Sequence, residues 1–278
     1  MGNSMNGKHW TLEDIPWDRF DAAKVDPELV KVVKAASMVE FNGGDYATYL
    51  CNVFPDDAEF QTAATKWAEE EVQHGRALGR WAEQADRNFD FAGSFQRFTA
   101  GFRPPVDARV SVRGSRAGEL VARCIVEVGT SSYYSALGEA AQEPVLREIC
   151  KRIAADEFRH YTLFYKHLKR YLDKERIGKV RRVLVALGRI TETEDDELAY
   201  AYYAANGAAG QAYDRKRCSQ AYAMRAFRYV RPRHVERGVA MTFKAAGLSP
   251  QGHLARLAAR GAYWLLQRRR RRFTAAAA

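Results

Sequence analysis

The chain has little that would mark a secreted, membrane-spanning or zinc-knuckle protein. Its four cysteines, Cys51, Cys124, Cys150 and Cys218, are dispersed and form no Cys-x-x-Cys pair. That distribution supplies neither a disulfide framework nor a zinc knuckle, and it fits a reducing compartment. No uninterrupted apolar stretch is long enough to cross a bilayer, and Met1 to Trp10 is polar, without the apolar run of a signal peptide. The expected location is the cytoplasm, with peripheral membrane contact left open. Only 8 prolines interrupt the 278 residues, while Ala, Leu, Arg, Glu and Lys are abundant. This composition favours an all-α protein with a full hydrophobic core.

Acidic and basic residues are unevenly placed. From Tyr213 to Ala278 there are 16 lysines and arginines against 2 acids; residues 1–212 carry 28 against 32. A slightly acidic body therefore carries a strongly basic C-terminal part, which points to an anionic partner or surface.

Helical spacing and its interruptions divide the chain. Residues 1–25 read as an N-terminal arm. Asp26-Pro27 is an N-cap followed by proline at the first helical position, and apolar residues from Val30 continue the pattern towards Leu50. Pro55-Asp56-Asp57 ends that helix and opens a second, running to about Ala85. Residues 87–115, rich in Gly, Pro and Phe, read as a long connection without helical periodicity. A third helix is expected from about Ala117 to Ala141, and a fourth from Glu143-Pro144 to about Lys174. Residues 26–175 thus form four long helices. Residues 176–278 form a basic helical extension, with segments near 177–190, 194–206, 209–229, 233–246 and 250–270, each too small for its own core.

Two short pieces repeat: Glu71-Val-Gln-His74 and Glu157-Phe-Arg-His160. Each puts a carboxylate and an imidazole three residues apart on one helix face, within reach of a single metal ion. A lone glutamate precedes each, Glu40 by 31 residues and Glu127 by 30. With turns at Pro55 and Gln142, Glu40 and Glu71 lie 15 and 16 residues from the first turn, and Glu127 and Glu157 each lie 15 from the second. At about 1.5 Å per residue all four glutamates stand at matching mid-helix heights. Two helices giving one Glu each and two giving Glu-x-x-His is the ligand set of ferritin-like di-iron carboxylate proteins. The expected fold is therefore a ferritin-like four-helix bundle with additional C-terminal helices. Glu40, Glu71 and His74 are expected around one iron ion and Glu127, Glu157 and His160 around the other, with Glu71 and Glu157 as bridges. Buried without cations, these carboxylates would be very costly.

The surrounding residues resemble a particular family. Trp67-Ala-Glu-Glu-Glu-Val-Gln-His-Gly75 and Ile153-Ala-Ala-Asp-Glu-Phe-Arg-His160 are similar to the two metal motifs of soluble acyl-acyl carrier protein desaturases, Glu-Glu-x-x-His-Gly and Asp-Glu-x-Arg-His. Glu70, Glu71, His74 and Gly75 match the first, and Asp156, Glu157, Arg159 and His160 the second. Glu127-Val-Gly-Thr130 fits the family's Glu-x-x-Thr, which implies a Thr130 hydroxyl near the oxygen-binding face and a role in proton relay. The resemblance also implies that Asp156 accepts the second ring N–H of His74, with Glu70 and Arg159 beside it. It spans roughly residues 26–170 and leaves the basic part uncovered.

What the resemblance implies is a di-iron, O2-dependent oxidoreductase that abstracts hydrogen from an aliphatic chain, by desaturation or hydroxylation, with a ferredoxin-type electron donor. The chain departs from the plant enzymes in length and around residues 85–115, so their substrate does not carry over. Alternatives are a hydroxylase of membrane lipid or quinone, and an iron-binding protein without enzymatic activity. The basic part suits an acidic acyl carrier protein or an anionic membrane. No RNA-binding motif is visible, which argues against nucleic acid, and a homodimer is left open. Gly43, Gly44 and Gly129 lie within or beside a turn of Glu40 and Glu127; they either make room for substrate or allow close helix packing. Tyr133, Tyr134 and Tyr161 are read as core.

Overall fold

A computed structural model of the chain describes residues 9–192, 196–208 and 210–277, with side chains described as far as Arg271. The expected break between the segments ending near 190 and beginning near 194 lies partly outside the described residues. The described residues are all-α, with no strand among them.

The helices begin where side chains satisfy their free N–H groups. In α1 (Pro27–Phe41) the Asp26 carboxylate accepts from the Glu28 N–H, and Pro27 occupies the first turn. The expected single helix to Leu50 divides at Asn42, and α2 (Gly43–Val53) follows. Asn-Gly-Gly is poor helix sequence, and the break brings the chain close to α3 (Ala58–Ala85). A Cβ on Gly43 would stand 2.6 Å from the Glu71 Cβ, and one on Gly75 would stand 2.5 Å from the Phe41 backbone nitrogen. These glycines allow close packing of helices that carry the site.

The connection read as irregular contains a helix, α4 (Phe91–Gly101), capped by Asp90. Phe91, Phe95 and Phe98 recur at helical spacing and pack face to face or tilted along it. The neighbouring glycines obscured that period. The second hairpin is α5 (Arg116–Ala140) and α6 (Pro144–Glu175). Its turn is built on Glu143, buried to 1% exposure. The Glu143 carboxylate accepts from the Val145 and Leu146 N–H groups, from Trp81 Nε1 at 2.7 Å and from the Asp21 N–H at 3.2 Å. One carboxylate thus caps α6, ties it to α3 and holds the N-terminal segment.

α1 packs on α3, α5 on α6, and α3 on α6. Two apolar clusters fill the interior. One, around Val33, Leu78, Trp81, Leu137 and Ile149, lies towards the Glu143 turn. The other, around Leu50, Phe54, Phe60, Leu120 and Phe164, lies towards the turn between α2 and α3. Residues 9–25 run over the first cluster in three short 3-10 turns, and Trp10 and Ile15 are buried in it.

The C-terminal helices are α7 (Lys179–Glu192), α8 (Asp196–Asn206), α9 (Arg215–Ala226), α10 (Pro232–Ala246) and α11 (His253–Ala277). α9 starts only at its Asp214 cap, later than the spacing suggested. α8 lies on α1, α9 on α8, α10 on α5 and α11 on α10. Leu254, Leu257, Trp264 and Leu265 of α11 are exposed. Among the described residues no helix is long and apolar enough to cross a membrane.

Replacing Glu143 with alanine removes four accepted hydrogen bonds and should lower unfolding stability by about 2–4 kcal/mol in urea denaturation. Glu143→Gln, which keeps one acceptor oxygen, should lose less. A loss below about 1 kcal/mol for the alanine variant would show that the turn does not depend on this carboxylate.

Candidate metal centre

Four helices bring the six expected residues together between the two apolar clusters. Glu40 comes from α1, Glu71 and His74 from α3, Glu127 from α5, and Glu157 and His160 from α6. All six are buried, His74 completely. Their ligand atoms fall into two groups, Glu40–Glu71–His74–Glu157 and Glu71–Glu127–Glu157–His160, each spanning no more than 4.8 Å. Glu71 and Glu157 belong to both. His74 Nδ1 lies 3.3 Å from Glu157, 3.5 Å from Glu40 and 3.7 Å from Glu71. His160 Nδ1 lies 2.9 Å from Glu71, 3.7 Å from Glu127 and 3.8 Å from Glu157.

The atoms turned inward are the ones without hydrogen-bond partners. Glu40 Oε2, Glu71 Oε1, both Glu127 oxygens, Glu157 Oε1, His74 Nδ1 and His160 Nδ1 are all buried and unbonded. Buried polar atoms are nearly always satisfied, so seven orphans converging on one volume match a set of donors shaped for cations.

The opposite edge of each imidazole is pinned. His74 Nε2 lies 3.0 Å from Asp156 Oδ2, and His160 Nε2 lies 2.8 Å from Glu70 Oε2. Arg159 joins the two carboxylates, donating to Asp156 at 2.6 Å and Glu70 at 3.1 Å. A carboxylate on Nε2 holds the proton there and leaves Nδ1 free as a donor atom. Thr130 places its hydroxyl 2.7 Å from Glu157 Oε2, donating to it.

Four neighbours were not placed at the site by sequence reasoning. Trp10 Nε1 donates to Asp156 at 2.6 Å, and its ring stacks on His74 at 5.9 Å between centroids. His9 Nε2 also lies 2.9 Å from Asp156. Nothing in the polar N-terminal arm signalled that it reaches the site. Tyr134, read as core, donates its hydroxyl to Glu40 Oε1 at 2.6 Å. Arg123, one turn before Glu127, lines the adjoining cavity; its i–4 position was the available signal. Of the three glycines left open, Gly43 is packed against α3, while Gly44 and Gly129 have nothing within 4 Å of a Cβ.

Burial pushes the Glu40 carboxyl well above the usual range, reinforced by the charges of Glu71 and Glu157. Burial likewise raises Glu127. Burial opposes charge on His74, but contacts with Asp156, Glu157, Glu40 and Glu71 outweigh it and hold this imidazole well above its ordinary value. His160 is raised in the same way by Glu127, Glu157, Glu70 and Glu71. Asp156 is held well below the carboxylate range, because the His74 and Arg159 contacts exceed its burial cost. Without metal, protons therefore take the place of cations.

No family model matches the chain, and no curated protein matches it.

Two outcomes follow from the raised values. Metal uptake must displace protons, so loading at pH 7 in weak buffer should release on the order of two to four protons per chain, read with an indicator dye. The raised imidazoles stabilise the metal-free fold fully below about pH 6.5, and that contribution is lost as pH rises through their folded values. The melting temperature of chelator-treated protein should accordingly fall as pH rises above about 6.5. A metal-free melting temperature that rises above that pH would contradict the proton-filled cluster. Separately, Asp156→Asn should weaken metal binding about ten- to a hundredfold, by competition with a chelating dye.

Proposed function

We propose that this protein is a di-iron, O2-dependent oxidase of the ferritin-like carboxylate class, with motifs that resemble those of the soluble acyl-acyl carrier protein desaturases. The observation that carries the reading is the pair of overlapping donor groups, each with one histidine, sharing Glu71 and Glu157. Carboxylate-rich donors with one imidazole per group suit iron and leave positions for oxygen or water. Glu40, Glu71, His74 and Glu157 would hold one ion; Glu71, Glu127, Glu157 and His160 the other.

Iron held there would supply the four-electron reduction of O2, two electrons from an external donor and two from the substrate, giving two waters in desaturation and one water plus the product hydroxyl in hydroxylation. The chain's own groups do the remaining work. Asp156 and Glu70 keep both imidazoles in the tautomer that presents Nδ1. Tyr134 fixes Glu40, leaving Oε2 directed inward. Thr130 faces the cavity beside the cluster and holds a proton at Oγ1, in hydrogen-bond contact with Glu157. That position suits delivery of a proton where oxygen is reduced. The two apolar clusters exclude water above and below, which favours hydrogen abstraction from substrate over side reactions.

A mostly apolar cavity reaching the donor atoms supports the oxidase reading over a storage protein, which needs no organic-substrate site. The desaturase resemblance supports the class of reaction, namely attack on an aliphatic C–H bond, by desaturation or hydroxylation. For the partner, the exposed Leu254, Leu257 and Trp264 next to the exposed arginines Arg268, Arg269 and Arg271 favour an anionic surface, whether acidic protein or membrane.

Anaerobic loading should give about two irons per chain, and O2 added to the reduced protein with an aliphatic substrate should yield a desaturated or hydroxylated product. Absence of stoichiometric iron would sink the proposal. Glu127→Ala or His160→Ala should abolish the di-iron optical spectrum. Thr130→Val should keep the iron and slow turnover about a hundredfold; unchanged turnover would remove Thr130 from the proton path.

A further inference from the structure

The cavity beside the cluster encloses about 210 Å³, and its two ends differ in chemistry. At one end it meets Tyr222, which lies beside Tyr133, with Ala226 and Phe227 following it on α9 and the turn after α9. At the other stand Tyr46, Arg123, Arg189 and Glu197. Arg123 precedes Glu127 by four residues on α5, so it shares that face of the helix at about 6 Å along the axis.

Arg123 is only 6% exposed. Its Nε is buried without a hydrogen-bond partner, and the nearest carboxylate oxygen, Glu119 Oε1, lies 3.8 Å away. That is too far for a hydrogen bond. Glu119 is held back by other donors: its Oε2 accepts from the Tyr49 hydroxyl at 2.7 Å and from Ser111 at 2.8 Å. The guanidinium instead packs over the Tyr46 ring, 5.1 Å from its centroid. A guanidinium remains charged in any protein setting, and a buried charge with unspent N–H groups is destabilising until an anion meets it.

We propose that Arg123 anchors the head group of the substrate, and that this substrate is a short aliphatic carboxylate. Its body lies along the cavity past Glu127 and Thr130 towards Phe227. A carboxylate matches the planar fork of one guanidinium. A doubly charged phosphate would face repulsion from Glu119 and Glu197, and Arg189 beside them already has the Glu192 carboxylate 3.9 Å away. The methyl end of a long acyl chain would leave the guanidinium desolvated, and 210 Å³ is below the ~300 Å³ at which drug-sized sites begin. The proposal rests on the oxidase reading for the fate of the bound acid, whereas the binding itself needs no metal.

The test is calorimetric titration of the full-length, metal-free protein with hexanoate and octanoate, against hexanol and octanol. The acids should bind at least about tenfold more tightly than the matched alcohols. Arg123→Gln should erase that preference, and Arg123→Lys should restore part of it. Equal binding of acid and alcohol, no binding of either acid at millimolar concentration, or an acid preference that survives in Arg123→Gln overturns the proposal. Gly129→Leu gives a reading independent of the arginine variants. Gly129 lines the cavity with nothing within 4 Å of a Cβ, so leucine should fill the passage without disturbing α5. Octanoate should then bind about tenfold or more weakly, and unchanged binding also overturns the proposal. Because these titrations contain no iron, they stand or fall separately from metal loading.

Discussion

Four carboxylates and two imidazoles crowded into a dry layer are the constraint that shapes the rest of this molecule. Like charges at these separations repel, and burial penalises each ionised group. The arrangement holds together only if positive charge fills it, as protons on Glu40, Glu127 and the two histidines or as metal cations. Apolar plugs on both sides keep water from relieving the strain. The same plugs make the centre selective, since only a cation matched to the donor atoms enters such a layer at low cost.

Such a layer needs rigid walls, and the helix ends supply them. Glu143 locks α6 to α3 through Trp81, and Asp57 does similar work at the opposite end. The Asp57 carboxylate caps α3 through the Phe60 N–H and accepts from Arg170 and Tyr171 of α6. With both ends fixed, the Asp156–Arg159–Glu70 bridge sets the imidazole edges across the α3–α6 interface. The flanking parts of the chain then specialise the site. Residues 9 and 10 close it on the Asp156 side, while α8 and α9 roof the cavity on the Glu127 side. The basic C-terminal part is therefore more than a charged appendage, because part of it lines the space where substrate would lie.

The sequence carried the site further than it carried the fold around it. Glu-x-x-His spacing and equal distances from two turns were enough to bring Glu40, Glu71, His74, Glu127, Glu157 and His160 to one level, because helical rise is fixed. Asp156 and Glu70 were legible only through the family resemblance, whose two motifs place a carboxylate directly before each Glu of the Glu-x-x-His pairs. Trp10 was not legible: its partner is 146 residues away, and no periodicity connects an arm of 3-10 turns to α6. α4 was hidden because two glycines lowered helical propensity, while tertiary packing of Phe91, Phe95 and Phe98 stabilises it. The break at Asn42 depends on the approach of Gly43 to Glu71, a long-range contact that local pattern does not encode.

The most direct measurement is an anomalous-difference map from crystals of the iron-loaded protein. The expected result is two peaks between the histidines, each bound through one Nδ1, with Glu71 and Glu157 contacting both. A single peak, or iron bound instead by His9, Glu70 and Asp156, would contradict the two-metal centre.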